Sequence, residues 1–344
     1  MYRTRTDTAV VILSFNAFHW HEKFLPGILA EGMGRYDVVL VDNASIDGTG
    51  EKVRARFPSV HVIRLDVNRG FTNGYIEGLR QIDSKYYVLL SSDFEVTPGW
   101  FDPLHRLMES DPQVAAVQPK IRYWREKKMF EYAGAAGAFI DTLGYPFCRG
   151  RLFFTLEEDK GQYDEPCETF WASGGCIMLR SQLYHQFGGL DNHFYAHMEE
   201  IDLCWRFKNA GYKVMCEPRS LVYHVGGSVI SYGSPEKIYH NYRNGLILLV
   251  KNLPASQLAW KLPLRLMLDG VAGLYALWRR KGWELIAILR AHRDFWKGLP
   301  RWFHLRRQSR AFATRPNMKG MYPRSIVWDY FVRGRRTFSE LRPF

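Results

Sequence analysis

The stretch YYVLLSSDFEV, residues 86–96, decides how this chain is read. Tyr86 to Leu90 are all apolar or aromatic, the run expected of a strand buried on both faces. Two serines and two carboxylates, Asp93 and Glu95, follow at once, and Pro98-Gly99 turns the chain. Such an ending has two readings. One is a plain exit from strand to loop, with solvated acids. The other is a ligand site at the carboxyl end of a central strand, where open α/β sheets bind their ligands. This stretch alone favours the plain exit; its neighbours shift the balance.

Strands and helices alternate through the first 120 residues. TAVVILSF, YDVVLVD, VHVIRLD, YYVLLSS and VAAVQPKIRY read as strands. HEKFLPGILAEG, DGTGEKVRARF, FTNGYIEGLRQI and GWFDPLHRLMES read as the helices between them. This alternation means βαβ units and a parallel sheet. Right-handed crossovers then bring the carboxyl ends of the strands to one edge. Ser14 and Asn16 follow the first strand, and Asp42, Asn43, Ser45 and Asp47 the second. Asn68, Arg69 and Gly70 follow the third, and Asp93 and Glu95 the fourth. Four polar strand ends in succession favour a lined crevice.

Residues 125–170 read as loops and short strands over that crevice. Further on, CIML reads as a strand, and EEIDLCWRFKNAGY as a helix closed by Gly211. LVYH reads as a short strand ending at His224.

The chain of 344 residues is 47% hydrophobic, enough for one large domain and an appendage. Its five cysteines form no C-x-x-C pair, which fits reduced thiols and argues against a zinc site or a disulfide framework. The N-terminal MYRTRTDTAVVILSFN lacks the pattern of a secretory signal, so a cytoplasmic setting is expected. Charge divides the chain unevenly. Residues 1–250 carry a net −3 and residues 251–344 a net +15. A basic segment of this kind points to an anionic surface, membrane or nucleic acid. Its longest apolar stretch, Leu262 to Trp278, is broken by Arg265 and Asp269 and is short of the ~20 apolar residues of a spanning helix. The segment therefore reads as amphipathic helices that lie in a membrane interface, or that pack on the rest of the chain.

Four motifs in this order and spacing, VILSFN, VDNASIDGT, NRGFTNGYIEGL and GGLDNHFYAHMEEIDLCWR, carry a resemblance. Over roughly residues 8–250 the chain is similar to bacterial family 2 glycosyltransferases of the GT-A fold. Among these it most resembles the rhamnosyltransferase-like enzymes of cell-surface polysaccharide synthesis. The trailing YHNYRNGLILLVKN resembles the segment that follows their catalytic domain. The resemblance implies an α/β, Rossmann-like and mostly parallel sheet flanked by helices. A catalytic domain over 1–250 and a basic helical, membrane-associating extension over 251–344 are expected.

The implied activity is inverting transfer of a sugar from a nucleotide-diphosphate sugar to an acceptor hydroxyl. The acceptor implied is a lipid-linked glycan at the inner face of the cell membrane. The resemblance places Ser14, Asn16, Asp42, Asn43, Ser45, Asn68, Gly70, Phe71, Asn73, Gly74, Ser92 and Asp93 at the nucleotide-sugar. It makes Asp93 and His224 ligands of a divalent cation, Mg or Mn. Ser91 stands where relatives carry a first acid, and Ile76 where they carry a second Asn. Glu95 is expected to support Asp93 or face the acceptor. Glu200 is the expected catalytic base, with Glu199 its rival. Trp171, Gly174, Gly175 and Asp202 are expected on the acceptor side, Asp202 also meeting Arg206 one helical turn on.

Three other readings compete. A nucleotidyltransferase would need a Gly-rich basic loop near the first strand, and VILSFNAFHWHEKF has none. A nucleic-acid binder using the basic tail leaves the acid-lined crevice unexplained. A catalytically weakened family member acting as a scaffold is kept open by Ser91.

Overall fold

The computed structural model describes residues 1–131, 134–226 and 234–341. Its large sheet runs in the order Cys167–Thr169, Lys213–His224, Val114–Tyr123, Cys176–Arg180, Tyr86–Ser91, Thr8–Ser14, Asp37–Asp42, His61–Arg64. From Tyr86–Ser91 to His61–Arg64 every pairing is parallel. On its other side Tyr86–Ser91 pairs antiparallel with Cys176–Arg180. The opening stretch thus stands where the sheet changes character. The strands in this region are buried on both faces, which is why they read as apolar runs without alternation. Alternate residues feed two cores. Val10, Ile12, Val38, Leu40, Val88 and Leu90 face one, and Val11, Val39, Val41 and Leu89 the other.

The expected helices form at Phe18–Gly32, Thr49–Arg56, Gly70–Leu79, Phe101–Ser110 and Glu199–Asn209. Gly74 and Gly78 let the third of these lie directly on the sheet. A Cβ at Gly74 would stand 2.7 Å from Leu13, and one at Gly78 2.5 Å from Val41. Packing on the sheet therefore accounts for Gly74, which was expected at the nucleotide. Gly211 closes Glu199–Asn209 in the left-handed region, its N–H and that of Tyr212 returning to Lys208 and Phe207.

After Ser91 the chain turns at Ser92–Asp93, and Phe94–Val96 pairs antiparallel with Lys213–His224, Phe94 opposite His224. The strand expected to be short spans twelve residues, with a register shift between Glu217 and Leu221. A second sheet is built from the short strands expected before residue 170: Ala138–Asp141, Pro146–Cys148, Arg151–Leu152 and Thr155–Leu156. Its fifth strand, Met321–Tyr322, comes from the basic segment.

The helix Pro235–Asn252 runs through the expected boundary at residue 250 and packs against Gly282–Lys297 and Leu299–Ala311. Ser234 caps it, with Pro235 in its first turn. Arg306 donates to the carbonyls of Val250 and Leu253, and Asn317 to Glu168. The C-terminal helices are thereby bonded into the rest of the chain. All five cysteines are free thiols, four of them buried.

Candidate active site

The turn at Ser92–Asp93 and the end of the Lys213–His224 strand build the first centre. His224 Nε2 lies 3.3 Å from Asp93 Oδ2, and its Nδ1 lies 3.2 Å from Glu131 Oε1. The ring stacks on Phe94 at 4.3 Å. Both carboxylates are buried. Burial alone would discharge the imidazole, but Glu131 and then Asp93 pull the other way and push it up to about 10. Sequence reasoning missed Glu131. It lies in the irregular MFEYAG segment, and its one signal is an acid set among aromatic and apolar residues. Glu95 is a correction. Its carboxylate is held by the Trp124 indole at 2.6 Å and by Lys127, so it neither supports Asp93 nor faces an acceptor.

The second centre opens the helix Glu199–Asn209. His197 and Met198 precede it with φ of 67° and 73°, a left-handed pair without glycine. Such backbone persists only when its surroundings hold it. Asn244 does so, its amide donating to the carbonyls of Ala196 at 3.0 Å and His197 at 2.8 Å. The strained turn aims Glu199 and Glu200 toward one cavity, where each has a buried Oε2 with no donor among the described residues. Burial pushes Glu200 up to about 7 and raises Glu199, which also feels Glu200, well above the usual carboxylate range. Gly174 faces Glu200, and Trp171 is fixed by its indole bond of 2.7 Å to the Phe139 carbonyl.

Both centres line one cavity of roughly 420 Å³. Phe71, expected at the nucleotide, Trp171, Gly174 and Gly175, expected on the acceptor side, and Ser91 share its wall. Arg151, Lys237 and Arg265 add cationic groups that sequence reasoning missed. Burial pulls Lys237 down to about 8 against the attraction of Glu131.

The other strand-end residues mostly bond to one another. Ser45 Oγ accepts from Asn16 N–H at 3.0 Å, and Asn16 Oδ1 from Ile46 N–H at 2.9 Å. Asn43 Nδ2 donates to Asn68 Oδ1 and the Gly70 carbonyl, both at 3.0 Å. Gly70 has a φ of +73°, and a Cβ there would stand 2.6 Å from the Tyr195 ring, so only glycine fits. Asp42 accepts from Ser45 N–H, while its buried Oδ2 has no donor. Ser14 is buried against His21 at 2.6 Å. Asp42, Asn43 and Ser45 are buried too, so this group joins the loops to each other. Ser92 sits half-buried in the turn.

Two placements are corrected. Asn73 lines a different cavity, between the Gly70–Leu79 helix and Leu299–Ala311. Asp202 is fully buried, bonded to Arg206 as expected but also to Lys251 at 2.8 Å and Asn252 at 2.9 Å. Its oxygens are engaged within the protein, so it offers nothing to an acceptor.

This sheet, with its cavity at the strand ends, is the GT-A glycosyltransferase fold. The chain belongs to glycosyl transferase family 2, whose pattern it matches over residues 9–187, just over half its length. It is similar to an N-acetylglucosaminyl-diphospho-decaprenol L-rhamnosyltransferase of Mycobacterium tuberculosis. The two are 23% identical over 282 residues, covering 77% of this chain and 90% of the relative. A low-salt glycan biosynthesis hexosyltransferase, Agl10 of Haloferax volcanii, is 20% identical and covers 69% of this chain and 74% of its own. Among solved structures, the Pyrobaculum calidifontis mannosyltransferase PcManGT in complex with GDP-Man and Mn²⁺ superposes with a TM-score of 0.51. It is 15% identical over 92% of this chain and 87% of that one. GalNAc-T7 with UDP, GalNAc and Mn²⁺ gives a TM-score of 0.55 at 16% identity. That match covers 69% of this chain but only 47% of the other.

Proposed function

We propose that this chain is an inverting glycosyltransferase that moves a sugar from a nucleotide-diphosphate sugar to a hydroxyl of a lipid-linked glycan. The observation that carries the reading is the pairing, within one cavity, of Asp93 and His224, backed by Glu131, with the Glu199–Glu200 pair. The mycobacterial relative, named for a diphospho-decaprenol acceptor, supports the acceptor class and a place in cell-surface glycan assembly.

Asp93 and His224 would hold a divalent cation, which has to displace the Nε2 proton that the two flanking carboxylates otherwise keep on the imidazole: the carboxylate oxygen and that nitrogen lie 3.3 Å apart. Glu131 lies 3.2 Å from the far ring nitrogen, the place of the carboxylates that stand behind metal-bound histidines. A cation bound there supplies charge neutralisation for the leaving diphosphate. Arg151, Lys237 and Arg265 add positive charge to the same cavity.

Inversion is one in-line displacement. The acceptor oxygen bonds to the anomeric carbon as the bond to the diphosphate oxygen breaks. The hydroxyl proton passes to Glu200, whose value near 7 is matched to that task. Two adjacent carboxylates with buried oxygens do not both ionise readily, so Glu199, the more deeply buried, keeps its proton while Glu200 is free to accept one.

A thermal-shift screen against nucleotide-sugars, with and without Mn²⁺, tests the reading. A true donor at 100 times its Kd stabilises by about 2.7 kcal/mol, and turnover should follow with a polyprenyl-diphosphate glycan. A cation-dependent shift without transfer to any acceptor would leave a scaffold. No shift with any nucleotide-sugar would overturn the assignment.

A further inference from the structure

The helix Ala255–Trp278 is inverted relative to a helix that meets water. Its charged side chains are Lys261, Arg265 and Asp269, and all three are buried. Arg265 pairs with Asp269 at 2.8 Å, crosses the Tyr145 ring at 3.9 Å and lines the catalytic cavity. His292 of the next helix lies 3.2 Å from the other Asp269 oxygen. The outer face carries Trp260, Met267, Val271, Leu274 and Trp278, spaced along one side. Leu274 is 68% exposed and Trp278 78%, whereas Asp269 is 0% exposed. Water-facing helices show the opposite order. The next helix, Gly282–Lys297, likewise exposes Ile286, Leu289 and Trp296, beside exposed Arg290, Lys297 and Arg293, the last paired with Asp294 at 2.8 Å. Exposed Arg279 and Arg280 occupy the turn between the two helices.

We propose that this two-helix face docks on an anionic lipid bilayer. An apolar strip bordered by cations matches the boundary between acyl chains and acidic headgroups. A second copy of the chain is a poorer occupant, because the net +15 of residues 251–344 would set like charge against like. Among the described residues no helix is long and apolar enough to cross a membrane, so the helices lie along the surface. The helix whose outer side meets lipid turns Arg265 into the cavity, so the two surfaces share one element. The proposal goes beyond the transfer reaction and holds whatever sugar or acceptor is used.

Co-sedimentation of the full chain with vesicles tests it. The protein should pellet with phosphatidylcholine–phosphatidylglycerol vesicles, far less with phosphatidylcholine alone, and come off partly in high salt. Leu274→Asp combined with Trp278→Asp should lower partitioning about tenfold or more, with the melting temperature unchanged because both side chains are exposed. Arg290→Glu with Arg293→Glu, also at exposed sites, should weaken binding to the acidic vesicles only. Failure of the wild type to pellet, or equal pelleting of wild type and both variants, overturns the proposal. So does a concentration-dependent dimer that the Leu274→Asp and Trp278→Asp changes dissolve while vesicle binding persists.

Discussion

Asp93 and Glu131 are buried with His224 between them, whereas Glu199 is buried and Glu200 half-buried with no ion pair to either among the described residues. The chemistry is the same, three carboxyl groups lining one cavity and a fourth, Glu131, behind His224, but the electrostatic outcome is opposite. In the first centre the imidazole is held charged and both acids have a partner. In the second, burial raises both glutamates. A compensated centre suits fixed charge, and an uncompensated one suits a proton that comes and goes. The contrast can be attacked from each side.

The largest effect is expected at the uncompensated pair. Glu200→Gln keeps the shape and removes the proton acceptor, so transfer should fall by about 10²-fold or more while donor binding persists. Glu199→Gln should cost less. The reverse order in a steady-state assay would move the base to Glu199. The wild-type rate should also climb with pH through about 7 and then level off, because the base works only once deprotonated. A profile flat across that range would contradict the assignment.

The compensated centre comes next. Asp93→Ala should abolish Mn²⁺-dependent binding of the nucleoside diphosphate in calorimetry. Glu95→Ala should leave it nearly intact, since Glu95 is spent on Trp124 and Lys127. Equal titrations for wild type and Asp93→Ala would remove Asp93 from the cation site. Glu131→Gln should weaken Mn²⁺ affinity by about 10- to 100-fold, the usual effect of losing a carboxylate behind a ligating histidine. Unaltered Mn²⁺ affinity in that variant would reduce Glu131 to a buried counter-charge.

The same contrast explains what the sequence could disclose. The parallel strands were legible because burial on both faces writes itself as uninterrupted Val, Ile and Leu, and the crossovers then fix one edge for their polar ends. Which polar ends face the cavity was not legible. Asn43 and Ser45 spend their bonds on neighbouring loops and Ser14 on His21 of the next helix, and a strand end looks the same whether it meets a ligand or its own chain. Asp202 was half legible: Arg206 lies four residues on, but Lys251 and Asn252 arrive from a distant helix. Glu131 belongs to no periodic element, so only the fold brings it to His224. In the basic segment, composition told the charge but not its direction. Nothing local says that Arg265 and Asp269 turn inward and leave Leu274 and Trp278 outside.

The smallest predicted effect bears on stability. Glu200 is pushed up to about 7 in the folded chain, above the 4.5 of an ordinary glutamate, so the folded state binds more protons between those values than the unfolded state does. Stability from this source is fully present below about pH 4.5 and is lost as pH rises through about 7. Glu200→Gln removes the titration and keeps the packing. The melting temperature of the metal-free wild type, measured relative to the variant, should therefore decline from pH 5 to pH 8, leaving the variant more stable at pH 8 by about 2–4 °C. His224, pushed up to about 10, does not titrate in this window, and Glu199, which feels the Glu200 charge, is relieved of it in the variant, which moves the difference in the same direction. A difference that stays constant across the pH series would mean that Glu200 is not held protonated by burial, and its suitability as the base would lose its physical ground. A difference that shrinks when Mn²⁺ is added would show that charge at the compensated centre reaches the pair. The proposed base, on this account, is a local weakness that the folded protein carries for the sake of the proton it must accept.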